Sequence, residues 1–168
     1  MTAQRLSAGP GLHLESPYIN DGLVVAGVDE VGKGSWAGPL VVGVAVLGSK
    51  VVNGEFPDGM RDSKALTERV RERVFDGIGE ACSSWSTGWA SAQECDELGM
   101  SEAQRLACER AFGSLGVSVD VAIVERHSQQ FLGKGGGRRI PRPKKLGHRR
   151  RFIFWRPALN VTYKQNDP

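Results

Sequence analysis

The chain has 168 residues, 40% of them hydrophobic, enough to bury one core and within the roughly 100–200 residues of a single domain. No apolar run nears the ~20 residues needed to span a bilayer, and the first twenty residues lack the basic start and continuous apolar stretch of a signal peptide. A cytoplasmic protein without a membrane partner is therefore expected, and the three cysteines, Cys82, Cys95 and Cys108, odd in number and without a CxxC pair, argue against a zinc site or a disulfide framework.

The net charge of +3 conceals a partition. Residues 1–125 carry 10 basic and 18 acidic side chains, whereas residues 126–168 carry 12 basic and 1 acidic. Such asymmetry points either to a nucleic-acid-binding tail or to a segment never selected with the rest of the fold.

In chain order, Leu23 to Asp29 is a short apolar, β-branched run ending in two acids, Asp29-Glu30, and reads as a buried strand. Gly32 to Pro39 is too rich in glycine and proline for an element interior, and Leu40 to Leu47 returns to a strand pattern. Val51 to Gly59 reads as loop. From Ala65 to Ile78 the four-residue recurrence of Leu66, Val70, Val74 and Ile78 predicts an amphipathic helix, with Asp62 or Ser63 near its start. Cys82 to Ala92 alternates as a half-buried strand does, and Glu94 to Leu98 reads as a helical turn. A second helix is predicted from Ser101, its expected cap, until Gly113 and Gly116 stop it, and Val117 to Val124 is a third apolar strand ending at Glu125. Arg126 to Arg151 follows neither a period of 2 nor one of 3.6 beyond a few positions. The chain thus divides into a domain over residues 1–125 and a basic tail over residues 126–168, expected to be poorly ordered.

Two neighbouring carboxylates at the end of a buried strand are costly unless a cation compensates them. Asp29-Glu30 therefore suggests a hard divalent ion, Mg²⁺ or Mn²⁺, which prefers oxygen ligands. Adjacent strand residues point to opposite faces, so both reach one ion only where the strand end bends or one contact is indirect. Read alone, an acidic pair also simply closes a strand at the surface, and a glycine-rich stretch is also a plain tight turn.

The context narrows this. Val25 to Val41, VAGVDEVGKGSWAGPLV, resembles the opening signature of ribonuclease HII. Asp62-Ser63-Lys64-Ala65-Leu66 with Arg69 and Arg71 resembles the second motif of that family, and Cys95 to Met100 with the following helix resembles the third. The resemblance covers roughly residues 20–125 and implies an α/β fold with a ribonuclease H-like core, a mixed sheet with flanking helices. It also implies two-metal hydrolysis of RNA or embedded ribonucleotides in RNA/DNA hybrids, by a monomer, leaving a 3′-hydroxyl and a 5′-phosphate.

Carried over by resemblance, Asp29 and Glu30 become metal ligands. Gly32, Lys33, Gly34 and Ser35 become the loop that reads the ribonucleotide junction, and Lys64 becomes a nucleic-acid contact. Glycines allow close backbone approach to the phosphate and the 2′-hydroxyl. Lys33 stands where the family has arginine, keeping the charge and losing the planar fork. Glu125 and Arg126 stand where the resemblance places an Asp-Gly, so Glu125 becomes the third metal and catalytic carboxylate in displaced form. The family's later helix and fourth carboxylate have no counterpart, since the only acid after Glu125 is Asp167. One synonymous coding of Lys144 to Phe152, shifted by one base, reads Lys-Ser-Leu-Ala-Thr-Val-Ala-Ala, the kind of sequence that opens that helix. The sequence thus suggests an impaired hydrolase with an incomplete C-terminal part. The alternatives are a catalytically weak nucleic-acid-binding remnant, with the tail as an adapted basic extension, or a non-functional product of a frameshifted gene.

Overall fold

The computed structural model describes residues 10–31, 39–125 and 150–153, with the backbone alone at Lys64, Glu125 and residues 150–153. Its elements are α1 (Ser16–Asn20), β1 (Val25–Val31), β2 (Leu40–Leu47), α2 (Ser49–Val52), a 3₁₀ turn (Ser63–Ala65), α3 (Glu68–Ala81), β3 (Cys82–Ala90), α4 (Ala92–Leu98), α5 (Met100–Gly113), β4 (Val121–Glu125) and β5 (Arg150–Ile153).

The strands form one mixed sheet in the order β3-β2-β1-β4-β5, with β1 at its centre. β1 pairs antiparallel with β2 and parallel with β4, while β2–β3 and β4–β5 are antiparallel. Strand alternation sorts the side chains into two layers. On one face Ala26, Val28, Leu40, Val42, Val44, Ala122 and Val124 pack with Ala103, Ala107, Cys108 and Ala111 of α5. The alanines and Gly88 bring this helix close, for a Cβ at Gly88 would lie 2.0 Å from the Ala107 carbonyl oxygen. On the other face Val25, Val121 and Ile123 are covered by Leu14 and by Tyr18 of α1.

Several boundaries differ from the sequence reading, each for a local reason. The Leu66–Ile78 stripe does turn inward, with Val74 buried, but α3 starts at Glu68 with Thr67 as its N-cap. Asp62 and Ser63 precede it, and Ser63 opens the separate 3₁₀ turn. Gly99, at φ 77°, precedes α5 as N-cap, so the helix begins at Met100 and Ser101 lies inside it. α4 is longer than a single turn because Ser91 and Glu94 close a reciprocal capping box. α1, with Pro17 in its first turn, precedes the first strand, and the one-turn α2 extends to Val52, into the stretch expected as loop from Val51. Residues 117–120 precede β4 rather than belonging to it, and Arg150–Ile153 form an edge strand where no period was legible.

Candidate active site

The register of the parallel pair decides which acids meet. Val24 and Asp120 fix it: the Val24 amide donates to Asp120 Oδ2 at 2.9 Å, and the Asp120 amide donates back to the Val24 carbonyl at 3.0 Å. From this staple the pairing runs Val25 with Val121, Ala26 with Ala122, Gly27 with Ile123 and Val28 with Val124. One step further along this register stand Asp29 of β1 and Glu125, the last residue of β4.

β1 runs on to Val31, so Asp29 lies two residues inside the strand rather than at its end. The β1–β2 ladder is regular here, pairing Asp29 with Gly43, Glu30 with Val42 and Val31 with Val41. With no bulge to bend the strand, Asp29 shares the face of Val25, and Glu30, half-buried, shares the α5 face of Val28 and Val42. The Glu30 amide donates to Asp29 Oδ1 at 2.9 Å, which orients the exposed Asp29 carboxylate.

Among the described residues the face on either side of Asp29 is open at its glycines. Gly27 precedes it by two residues on the same side, Gly43 sits across the ladder, and a Cβ built on either meets nothing within 4 Å. Isolated glycines inside strands commonly mark close approach of another backbone, and this signal was available in the sequence. Beyond Gly43 the same register row reaches Thr87 on β3, flanked along the strand by Trp85 and Trp89, which are about half exposed. The end of β3 is held by Arg110 of α5, which donates to the Trp89 carbonyl at 2.6 Å and to both Glu94 carboxylate oxygens.

The donor set suits a hard divalent cation: the two described acids offer carboxylate oxygens, and the position of Glu125 adds a third acid in register with Asp29. Among the described residues no three His, Cys, Asp or Glu converge as a metal site. Gly32, Lys33, Gly34 and Ser35 lie outside the described residues, as do the side chains of Lys64 and Glu125. Lys64 is placed by its backbone in the 3₁₀ turn ahead of α3. The structure therefore brings Asp29, Glu30 and the backbone of Glu125 to one sheet end, with Asp29 and Glu30 on opposite faces.

The chain is similar to known proteins in sequence and in fold. The sequence model of the family described as ribonuclease HII matches residues 26–145. Ribonuclease HII of Thermus thermophilus is 43% identical over 120 residues, 71% of this chain and 55% of that protein. That of Prochlorococcus marinus is 42% identical over 101 residues, 60% of this chain and 46% of that protein. The chain thus spans about half the length of the curated relatives it matches. Among solved structures, ribonuclease H2 from Pyrococcus horikoshii OT3 superimposes with a TM-score of 0.51 at 34% identity, covering 58% of this chain and 47% of that one.

Proposed function

Because the chain belongs to the ribonuclease HII family, we propose that it derives from an endonuclease acting on the RNA strand, or on embedded ribonucleotides, of RNA/DNA hybrids, and that its own activity is reduced. The observation that carries this reading is the register that sets Asp29 beside Glu125 on a parallel strand pair, next to a glycine-floored surface open to a nucleic-acid backbone. Asp29, Glu30 and Glu125 would hold Mg²⁺ or Mn²⁺. Bound there, such an ion, or the pair of ions of two-metal hydrolysis, polarises the scissile phosphate and lowers the pKa of the attacking water.

The residues of this chain do the rest. Asp29 presents its carboxylate outward, held by the Glu30 amide, while Glu30 itself faces the α5 side and reaches the same centre only around the strand end. By the family resemblance, Lys33 and Lys64 would attract phosphate, and the glycines among Gly32–Ser35 would let a backbone meet the 2′-hydroxyl. Activity is reduced because Glu125 adds a methylene to the third carboxylate and Arg126 sets a bulky cation where the resemblance expects glycine. The protein is read as a cytoplasmic monomer. Among the described residues no helix is long and apolar enough to cross a membrane.

The test is incubation of a duplex carrying one embedded ribonucleotide with the chain and Mn²⁺. Slow cleavage leaving a 3′-hydroxyl and a 5′-phosphate, abolished by Asp29→Asn, is expected; cleavage that survives Asp29→Asn removes the site.

The charge partition favours a second reading, a nucleic-acid-binding remnant whose 126–168 tail supplies the phosphate contacts. Each phosphate neutralised contributes about −0.9 to the slope of log K against log salt on B-form DNA. A chain that binds the hybrid with a steep slope, but cuts in neither metal, supports this reading over the first.

A further inference from the structure

We propose that Arg71 is a positioning residue that clamps the Ser63–Ala65 turn and so fixes where Lys64 meets the nucleic-acid backbone, an inference that rests on the nucleic-acid reading given above. The Arg71 guanidinium donates through Nη1 to the Leu66 carbonyl at 2.7 Å and, more weakly, to the Ser63 carbonyl at 3.4 Å. Those two acceptors bracket Lys64 and Ala65, so a single side chain of α3 ties down both ends of the turn that carries the lysine. The turn's own backbone bonds are few: the Ala65 amide donates to Asp62 and the Leu66 amide to Ser63.

Helix energetics make this placement informative. Arg71 is the fourth residue of α3, within the first helical turn or just beyond it, where the macrodipole disfavours a cation. Thr67 makes no side-chain capping bond there. A cation in that position, exposed and bound to backbone carbonyls outside its own helix, is better explained by the turn it holds than by the helix it belongs to.

The sheet face on which α3 sits makes the turn relevant to the site. α3 leads straight into β3 and packs against it. Gly79 lies 3.5 Å, measured from its built Cβ, from Trp85 Nε1, and four residues earlier Phe75 meets the Trp85 ring edge-on at 6.0 Å. Trp85 shares its face of β3 with Trp89 and with Thr87, which stands in the register row of Gly43 and Asp29, so α3 sits on the Asp29 face of the sheet, and the end of β3 nearer to that row is the Trp89 end. The ladder ties that end to Val41 and Val31, the sheet end where β1 delivers Asp29.

The experiment uses the full chain and the variants Arg71→Lys, Arg71→Ala, Lys64→Ala and Arg71→Lys with Lys64→Ala. Hydrogen exchange at residues 63–66 is read without nucleic acid, and binding of a fluorescein-labelled RNA/DNA hybrid is read by anisotropy in EDTA over a salt series. Lysine keeps the charge and loses the planar fork. Arg71→Lys is therefore expected to speed exchange of the turn and to weaken hybrid binding about fivefold, as Arg71→Ala does, an effect in the range of one charged hydrogen bond. In the Lys64→Ala background Arg71→Lys should cost nothing further. Parental exchange in Arg71→Lys overturns the clamp. Parental binding in Arg71→Lys, or losses from Arg71→Lys and Lys64→Ala that simply add, overturn the coupling to Lys64. A parent chain that binds no hybrid, while its turn still responds to Arg71→Lys, overturns the nucleic-acid reading and the role of Lys64 together, and leaves the clamp standing.

Discussion

Asp29 and Gly43 are paired across the antiparallel ladder of β1 and β2, so the carboxylate proposed as the principal metal ligand faces a residue with no side chain. A Cβ at Gly43 would meet nothing within 4 Å, and valine is favoured in strands. Gly43→Val should therefore leave the chemical-denaturation midpoint at or above that of the parent while lowering hybrid binding and cleavage about tenfold by filling the floor beside Asp29. A variant that is both stable and fully active would show that nucleic acid does not approach across this row.

The interface between α5 and the sheet yields two opposite stability effects. Gln104 is fully buried, and neither polar atom of its amide has a hydrogen-bond partner among the described residues. Relieving that desolvation cost with a similarly sized apolar side chain, Gln104→Leu, should stabilise the protein by about 1 kcal/mol. Gly88→Ala should destabilise it by about 1–3 kcal/mol, because the new methyl would sit 2.0 Å from the Ala107 carbonyl oxygen and 2.3 Å from the Ala111 nitrogen, backbone atoms that yield only if the helix moves. Urea unfolding of the two variants checks both signs. A destabilised Gln104→Leu would mean that the amide is satisfied by a buried water.

Glu94 supplies a pH signature. The Arg110 guanidinium and then the Ser91 amide hold its carboxyl down at about 2, against an ordinary value of 4.5. A depressed carboxylate contributes stability that is fully present above pH 4.5 and is lost as pH falls from there toward 2. Glu94→Gln should thus be less stable than the parent at neutral pH, and the gap should narrow through that acid window. A gap that stays constant down to pH 2.5 would assign the Glu94 contribution to shape instead of charge. The group is partly exposed, so the effect should be modest and salt-sensitive.

The central architecture was legible because its signals are short-range and strong. β1, β2 and β4 announce themselves by β-branched runs, β3 by its alternation of Ser and Trp, α5 by the glycines that stop it, and Asp29-Glu30 by two acids that break an apolar run. The capping box of Ser91 and Glu94 was equally readable, as an S-x-x-E pattern, and would have given α4 its full length. The Leu66–Ile78 period misplaced the start of α3 because Leu66 points inward from the turn before the helix, continuing the apolar stripe without the helical backbone. Register was beyond sequence reasoning: nothing local in Val24 or Asp120 says that they pair, and only that pairing sets Asp29 beside Glu125. The same holds for β5, whose residues carry no alternation and are recruited by the edge of β4.

Asp29 and Glu125 are the proposed catalytic carboxylates, with Glu125-Arg126 as the weakened part of the centre. The most direct measurement is the single-turnover rate of cleavage at one embedded ribonucleotide, in Mg²⁺ and in Mn²⁺, for the parent, for Asp29→Asn, and for Glu125→Asp combined with Arg126→Gly. The double substitution should raise the rate by at least about tenfold, equivalent to roughly 1.4 kcal/mol of transition-state stabilisation, and adding Asp29→Asn to it should abolish the gain. Equal rates for the parent and the double substitution, or a gain that survives the loss of the Asp29 carboxylate, would contradict this proposal.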